Sequence, residues 1–225
     1  MTSAIILGGG SSQRMNGTDK QLMLLEGVPV IIRSALAFEQ SELTDEIVIV
    51  TRETAVEEIT ALCKAYRITK LKAVVSGGET RAESAEKGAV VLDNPEIVAI
   101  HDGARPLVTP TQIDSVIAAA KEHTAAILAI PATDTVKSAE DGVVAATLPR
   151  ETLWLAQTPQ AFSGELYAKM LEQKGEATDD SMLAEKCGAS VHIVSGSSDN
   201  LKITTPADIA IARALLKLRR EQKNA

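Results

Sequence analysis

The chain has 225 residues, enough for one large domain or two small ones around a substantial core. Its formal net charge of −7 excludes a broad nucleic-acid-binding surface, which needs a basic face, but leaves room for a local basic pocket. With 45% hydrophobic but only 2% aromatic residues, the core has to be built from Ala, Val, Ile and Leu, as suits strands covered by helices on both faces.

Taken in chain order, short apolar runs rich in Val and Ile recur at residues 4–7, 47–51, 71–75, 97–101, 125–131 and 191–194. Between most of them, residues 31–40, 55–66, 82–92 and 113–123 carry apolar side chains at helical spacing. This alternation predicts a three-layer α/β/α, Rossmann-like domain with a mainly parallel sheet. Helix starts are marked: Thr109 can cap, Pro110 suits the first helical position and Gln112 completes a capping box. Thr205-Pro206-Ala207-Asp208 repeats that logic before a last helix from residue 207 to about 223.

The alternation breaks between Pro131 and Pro159, where two short β-like runs flank the turn signal Glu140-Asp141-Gly142. We read a protruding β-arm over about residues 133–157 of a single domain spanning 1–225. Its Val136, Val143, Val144 and Leu148 need apolar cover, and a partner subunit in a homodimer is the simplest source. Trp154, the only tryptophan, is expected to pack in the arm. Cys63 and Cys187 fit no metal or redox spacing and are read as small buried hydrophobes on helices. There is no run apolar enough for a membrane span and no basic-then-apolar leader, so the expectation is a cytoplasmic protein without membrane or nucleic-acid partners.

The first strand runs directly into glycines, as "SAIILGGGSSQRM". A dinucleotide fold wants a third glycine where Gln13 stands, and an acidic end to the second strand where Thr51 and Arg52 follow. No Gly-Lys-Ser/Thr of a P-loop is present. What remains is a glycine turn, whose free N–H groups make an anion cradle, followed by Arg14 and Lys20. Two cations on one loop suit a triphosphate attacked at its α-phosphorus, where charge gathers on the transferring group and on departing pyrophosphate. A surface loop with solvated charges fits this segment taken alone.

The stretches "LGGGSSQRM…DKQ", "SGGETRAES", "HDGARP", "PATDTVK", "PRETLWLAQTPQ" and "SSDNLKIT", in that order over residues 7–204, resemble the 2-C-methyl-D-erythritol 4-phosphate cytidylyltransferases of non-mevalonate isoprenoid biosynthesis. The resemblance implies a nucleotidyltransferase domain, CTP and a polyol phosphate as substrates, Mg²⁺ as cofactor and a homodimer joined by the arm. It implies that Gly8, Gly9 and Gly10 line the nucleotide and that Arg14 and Lys20 are catalytic, neutralising the transition state. Gly78, Glu79 and Ser84 would read cytosine, the backbone of Gly78 more than the Glu79 side chain, since the family often has Asp there. Thr80 and Arg81 share that segment, with Arg81 bracing the turn.

Asp102, Gly103 and Arg105 become contacts of substrate and nucleotide ribose, at the carboxyl end of a strand where open α/β sheets place ligands. Asp102 is also the candidate Mg²⁺ ligand, the alternative being a metal held chiefly by the phosphates. Thr135, Arg150 and Thr158 would bind substrate from the arm, Arg150 gripping the 4-phosphate in the partner subunit's site. Lys202 would sit near both phosphates, and Lys137, Thr178 and Asp179 fall in matching segments. His101 is a lone histidine at a strand end and is assigned no chemistry.

One departure stands out: the family's Pro-Lys-Gln is here Asp19-Lys20-Gln21, so residues 16–19 are expected to order only when CTP and Mg²⁺ bind. The rival readings are a ribitol-5-phosphate cytidylyltransferase, a nucleotidyltransferase for sugar 1-phosphates, and a nucleotide-binding module without chemistry.

Overall fold

A computed structural model describes residues 1–9, 20–173 and 177–224, the last two by their backbone alone. The elements in order are β1 (Thr2–Leu7), β2 (Leu24–Leu25), β3 (Val28–Pro29), α1 (Val30–Gln40), β4 (Glu46–Thr51), α2 (Val56–Ala65), β5 (Leu71–Ser76), α3 (Arg81–Ala89), β6 (Ile97–Asp102), α4 (Pro110–His123) and β7 (Ala125–Pro131). Then come β8 (Lys137–Glu140), β9 (Val143–Thr147), β10 (Trp154–Ser163), α5 (Gly164–Leu171), α6 (Asp180–Lys186), β11 (His192–Ser195) and α7 (Pro206–Asn224). Seven strands form the central sheet in the order β11-β7-β10-β6-β1-β4-β5. All neighbours are parallel except β10, which runs antiparallel to both β6 and β7.

The two-residue period of the strands sorts their side chains onto two faces. Ala4, Ile6, Ile47, Ile49, Ile97 and Ala99 pack with Ile31, Phe38, Ile59 and Val116 of α1, α2 and α4. The intervening Ile5, Val48, Val50, Val98 and Ile100 pack with Phe162, Leu166, Met170 and Ala184 of β10, α5 and α6. Helix α7 closes a third cluster through Ile209 and Ala212, against Leu25, Val30, Leu107 and Ile203. The expected three-layer α/β/α arrangement is therefore the one observed.

Chain order leaves β1 toward β4 and β5, then returns to β6 on its other side. Such a reversal opens a crevice at the carboxyl ends of the strands. There Leu7 of β1 lies in register with Asp102 of β6 and with Val50 of β4. The capping box of α4 forms as expected, with Thr109 and Gln112 each bonding the other's backbone. At α7 the Asp208 carboxylate reaches back to accept the N–H groups of Thr204 and Thr205.

The arm departs from expectation at one edge. The ribbon itself is β8 and β9, turned at Asp141 and Gly142 with φ of 48° and 80°, the pair of left-handed residues that a type I′ hairpin requires. Residues 154–156, read as arm, instead pair with Pro131, Ile130 and Ala129 as the start of β10 in the central sheet. Trp154 is 42% exposed there, so it does not pack within the arm. Cys63 is buried, whereas Cys187 caps the end of α6 and is half-buried.

Helix α3 approaches the sheet closely because residue 88 is glycine: a Cβ there would stand 2.8 Å from Ile5 Cγ2 and 2.9 Å from Val50 Cγ2. Gly88→Ala is expected to lower the unfolding free energy by about 1–3 kcal/mol, read by urea denaturation. An unchanged midpoint would mean that the helix has slack at this crossing.

Candidate active site

At the carboxyl ends of β1 and β6 lies a cavity of about 340 Å³. Its wall brings together Gly9, Lys20, Gly78, Glu79, Ser84, Asp102 and Lys202, residues drawn from five separate stretches of sequence. Leu7, Gln21, Thr80, Arg81 and Ala104 complete it. Gly8 and Gly103 sit just behind, buried, their N–H groups donating to the carbonyls of Val50 and Leu7. Gly10, Arg14 and residues 16–19 lie outside the described residues.

The segment before α3 is held in a fixed turn. Thr80 caps the helix, accepting the Glu83 N–H, and Glu83 in turn accepts the Glu79 N–H at 2.8 Å. The Gly78 N–H donates to the Ser84 hydroxyl at 3.1 Å. The Gly78 and Glu79 N–H groups are thus spent within the turn, and Glu79 is exposed at the cavity wall. Lys87 reaches back to the Gly77 carbonyl and pins the turn from behind.

Asp102 is the electrostatic centre. Its side chain is only 12% exposed and receives Lys202 Nζ at 2.8 Å, Arg81 Nη2 at 3.7 Å and Arg105 Nε at 3.8 Å. Burial opposes its charge, yet Lys202, Arg81 and Arg105 together hold the carboxyl down at about 2. Arg81 also pairs at 2.5 Å with Asp180, a buried carboxylate at the start of α6. Burial raises Asp180, as do Asp102 and Asp179 beside it, so Arg81 supplies the opposing pull. Arg81 makes ion pairs across two elements, which tether the first residue of α3 from outside its own turn.

Lys202 owes its position to a loop tied down on every side. The Arg105 guanidinium donates to the Asn200 carbonyl at 2.7 Å, and the Ile203 N–H to the Ala104 carbonyl at 2.8 Å. The Asn200 amide donates to the Thr158 carbonyl at 2.9 Å. Lys20 Nζ donates to the Ile203 carbonyl at 3.3 Å, joining the N-terminal and C-terminal stretches across the cavity.

Other expected residues stand elsewhere. Thr158 is buried, its hydroxyl accepting the Asp102 N–H at 3.0 Å and bonding His101 Nδ1 at 3.1 Å, so it supports β6 from behind the wall. Arg150 and Thr135 are exposed at the base of the arm, with Arg150 donating to the Thr133 carbonyl. Lys137 bonds Thr147 across the ribbon, and Asp179 caps α6. The sequence reading missed Gln21 and Asp180; Gln21 lay inside a recognised motif, whereas nothing distinguishes Asp180 from its neighbour Asp179.

The donor set does not fit a resident magnesium. Asp102 is a single carboxylate already ringed by three cations, and no cluster of three or more His, Cys, Asp or Glu among the described residues could hold a metal. The expectation that Asp102 ligates Mg²⁺ therefore finds no support in this geometry.

Comparison with known proteins follows the same lines. The model of the family described as IspD, 2-C-methyl-D-erythritol 4-phosphate cytidylyltransferase, matches residues 2–218. A relative of that name from Syntrophus aciditrophicus is 42% identical over 222 residues, covering 95% of each chain. Another from Halalkalibacterium halodurans is 42% identical over 220 residues, covering 95% of this chain and 96% of its own. The crystal structure of a 4-diphosphocytidyl-2C-methyl-D-erythritol synthase from Anaerococcus prevotii superposes with a TM-score of 0.84 at 32% identity, covering 96% of each chain.

His101 is buried between Phe38 and the Arg105 carbonyl, and burial lowers its pKa from 6.5 to about 4, assisted by the Arg105 charge. The unfolded chain takes up this proton as pH falls through 6.5 and the folded one only near 4, so its contribution is complete above 6.5 and lost on acidification. The parent should lose on the order of 2 kcal/mol more stability than His101→Gln between neutral pH and mild acid, read by urea unfolding. Parallel pH profiles would show that the ring is not held neutral.

Proposed function

Because the chain belongs to the 2-C-methyl-D-erythritol 4-phosphate cytidylyltransferase family, we propose that it transfers CMP from CTP to 2-C-methyl-D-erythritol 4-phosphate with release of pyrophosphate. The observation that carries this reading is the convergence of Lys20, Lys202 and the Gly78 turn on one cavity at the sheet's ligand edge. The 4-phosphate oxygen is already an anion at neutral pH, so it can attack the α-phosphorus in line without a general base. Catalysis is then positioning and charge neutralisation. That division of labour agrees with a neutral, buried His101.

In this scheme Gly9 and Gly10 cradle the triphosphate with Gly8 packed behind them, and Arg14 and Lys20 take up charge on the transferring phosphoryl group. Gly78, Glu79 and Ser84 receive cytosine, and Asp102 meets ribose and substrate, with Gly103 and Arg105 supporting it from behind the wall. Lys202 holds the attacking phosphate, with Thr158 fixing the β6 end behind it. A magnesium ion would rest chiefly on the CTP phosphates, a role for which Asp102, turned to its three cations, is not required.

Thr135 and Arg150 serve the partner subunit's site in a homodimer built on the arm. Exposed apolar side chains support this: Val143 is 71% exposed and Val144 58%, on a ribbon that forms its own two-stranded sheet. The cytoplasm suits this reading: both cysteines are free thiols. No described helix is long and apolar enough to cross a membrane.

Pyrophosphate release should occur with CTP and 2-C-methyl-D-erythritol 4-phosphate, stop on chelation of Mg²⁺, and be slower with UTP, GTP or ribitol 5-phosphate. Lys20→Ala and Lys202→Ala should each lower turnover by about a hundredfold or more with the fold intact. Near-normal turnover in either would remove that residue from the reaction.

Subunit sharing is tested by mixing. Lys20→Ala and Arg150→Ala, each nearly inactive, should regain about a quarter of parent activity when unfolded and refolded together, since random twofold pairing rebuilds one site in half the dimers. No regain would assign Arg150 to its own subunit or to no site at all.

A further inference from the structure

Asp180 is a carboxylate only 3% exposed, at the first position of a seven-residue helix. Burying such a charge is costly, and a structural need of α6 would have to justify it. None does. The helix is capped by its neighbour Asp179, which accepts the Met182 N–H, while Gln160 of β10 donates to Asp179 and accepts the Ser181 N–H at 2.9 Å each. The start of α6 is therefore anchored twice without Asp180.

The Asp180 carboxylate instead points at Arg81. That guanidinium divides its fork between two acids on different elements, Nη1 on Asp180 at 2.5 Å and Nη2 on Asp102 at 3.7 Å. Arg81 is the first residue of α3, directly after Gly78, Glu79 and Thr80 in the cavity wall. The Asp180 contact is an ion pair rather than an aligned hydrogen bond, so Asp180 draws the guanidinium by charge while its other end faces Asp102.

We infer that Asp180 is a positioning residue: by holding Arg81 it sets the first turn of α3 and the carboxylate of Asp102 in the arrangement that receives the nucleotide. This rests on the nucleotidyl-transfer reading and adds to it a residue that never meets the substrate. Asp102 carries three cations, and Arg81 stays off its closest approach because Asp180 draws it back. That leaves the 2.8 Å contact to Lys202. Without the Asp180 charge, Arg81 is free to close on Asp102 and displace Lys202, and the turn before α3 loses its outer tether.

The test compares Asp180→Asn, Asp180→Glu, Arg81→Gln and the double variant Arg81→Gln/Asp180→Asn with the parent. The readouts are steady-state pyrophosphate release and titration calorimetry with CTP and Mg²⁺ alone. Asp180→Asn should raise the KM and the calorimetric Kd for CTP about tenfold, and should raise the KM for the polyol phosphate as well, since Lys202 is the group displaced. Asp180→Glu should restore most of the affinity, and the double variant should bind CTP no worse than Arg81→Gln alone. The neutral double variant also covers the case in which Asp180→Asn, left with a buried amide facing the Arg81 guanidinium, fails to fold. A purely structural role would lower the melting temperature and leave the CTP constants alone. CTP constants within twofold of the parent, or additive effects of the two substitutions, overturn the inference. A parent that binds CTP but releases no pyrophosphate overturns the activity instead, and the calorimetric series still decides the role of Asp180.

Discussion

One buried carboxylate organises this molecule's working end. Asp102 stands where β6 stops, and the cations around it come from residues 81, 105 and 202, which no stretch of local structure could bring together. Each cation alone would be a mobile surface charge. Gathered on a common, largely buried anion, they acquire defined positions, and the shared charge offsets the rotamer freedom each gives up. The fold supplies the corner by reversing direction beside β1, and the loop carrying Lys202 is then bolted to it through Asn200 and Ile203.

The arrangement also explains why the protein can be acidic overall and still take polyanionic substrates. The formal charge of −7 lies mostly on outer surfaces, whereas the cavity wall carries Lys20, Arg81 and Lys202 against Asp102 and Glu79. Asp102 neutralises part of that cluster, so the cations remain close together without repelling one another apart. Long-range repulsion of substrate by the acidic surface is screened within about 8 Å at physiological salt, and the local field decides.

Much of this was legible in the residues. Parallel strands buried on both faces leave continuous runs such as Ile97 to Ile100, and the α4 capping box is written in three side chains. Strand β10 was harder to see, because its buried half reads Gln157, Thr158, Pro159, Gln160, polar and interrupted by proline. Those residues are in the sheet because their polar groups are spent on Asn200, Asp102 and Asp179, partners that only the folded chain supplies. Thr158 matched a family motif as a substrate contact, and its hydroxyl is instead committed to β6. Asp180 had no signal at all, since two adjacent aspartates differ only in which way the helix turns them.

Strand β10 carries a last consequence. In nine residues it passes from Trp154, at the surface, to Phe162, in the core, running beside Asp102 at Thr158. The ribbon is a separate two-stranded sheet, joined to β7 and β10 through residues 132–136 and 148–153, where the Ala132 N–H donates to the Leu153 carbonyl at its root. A strand that begins at the surface and ends in the core thus ties the root of the arm to the reaction centre through one continuous backbone.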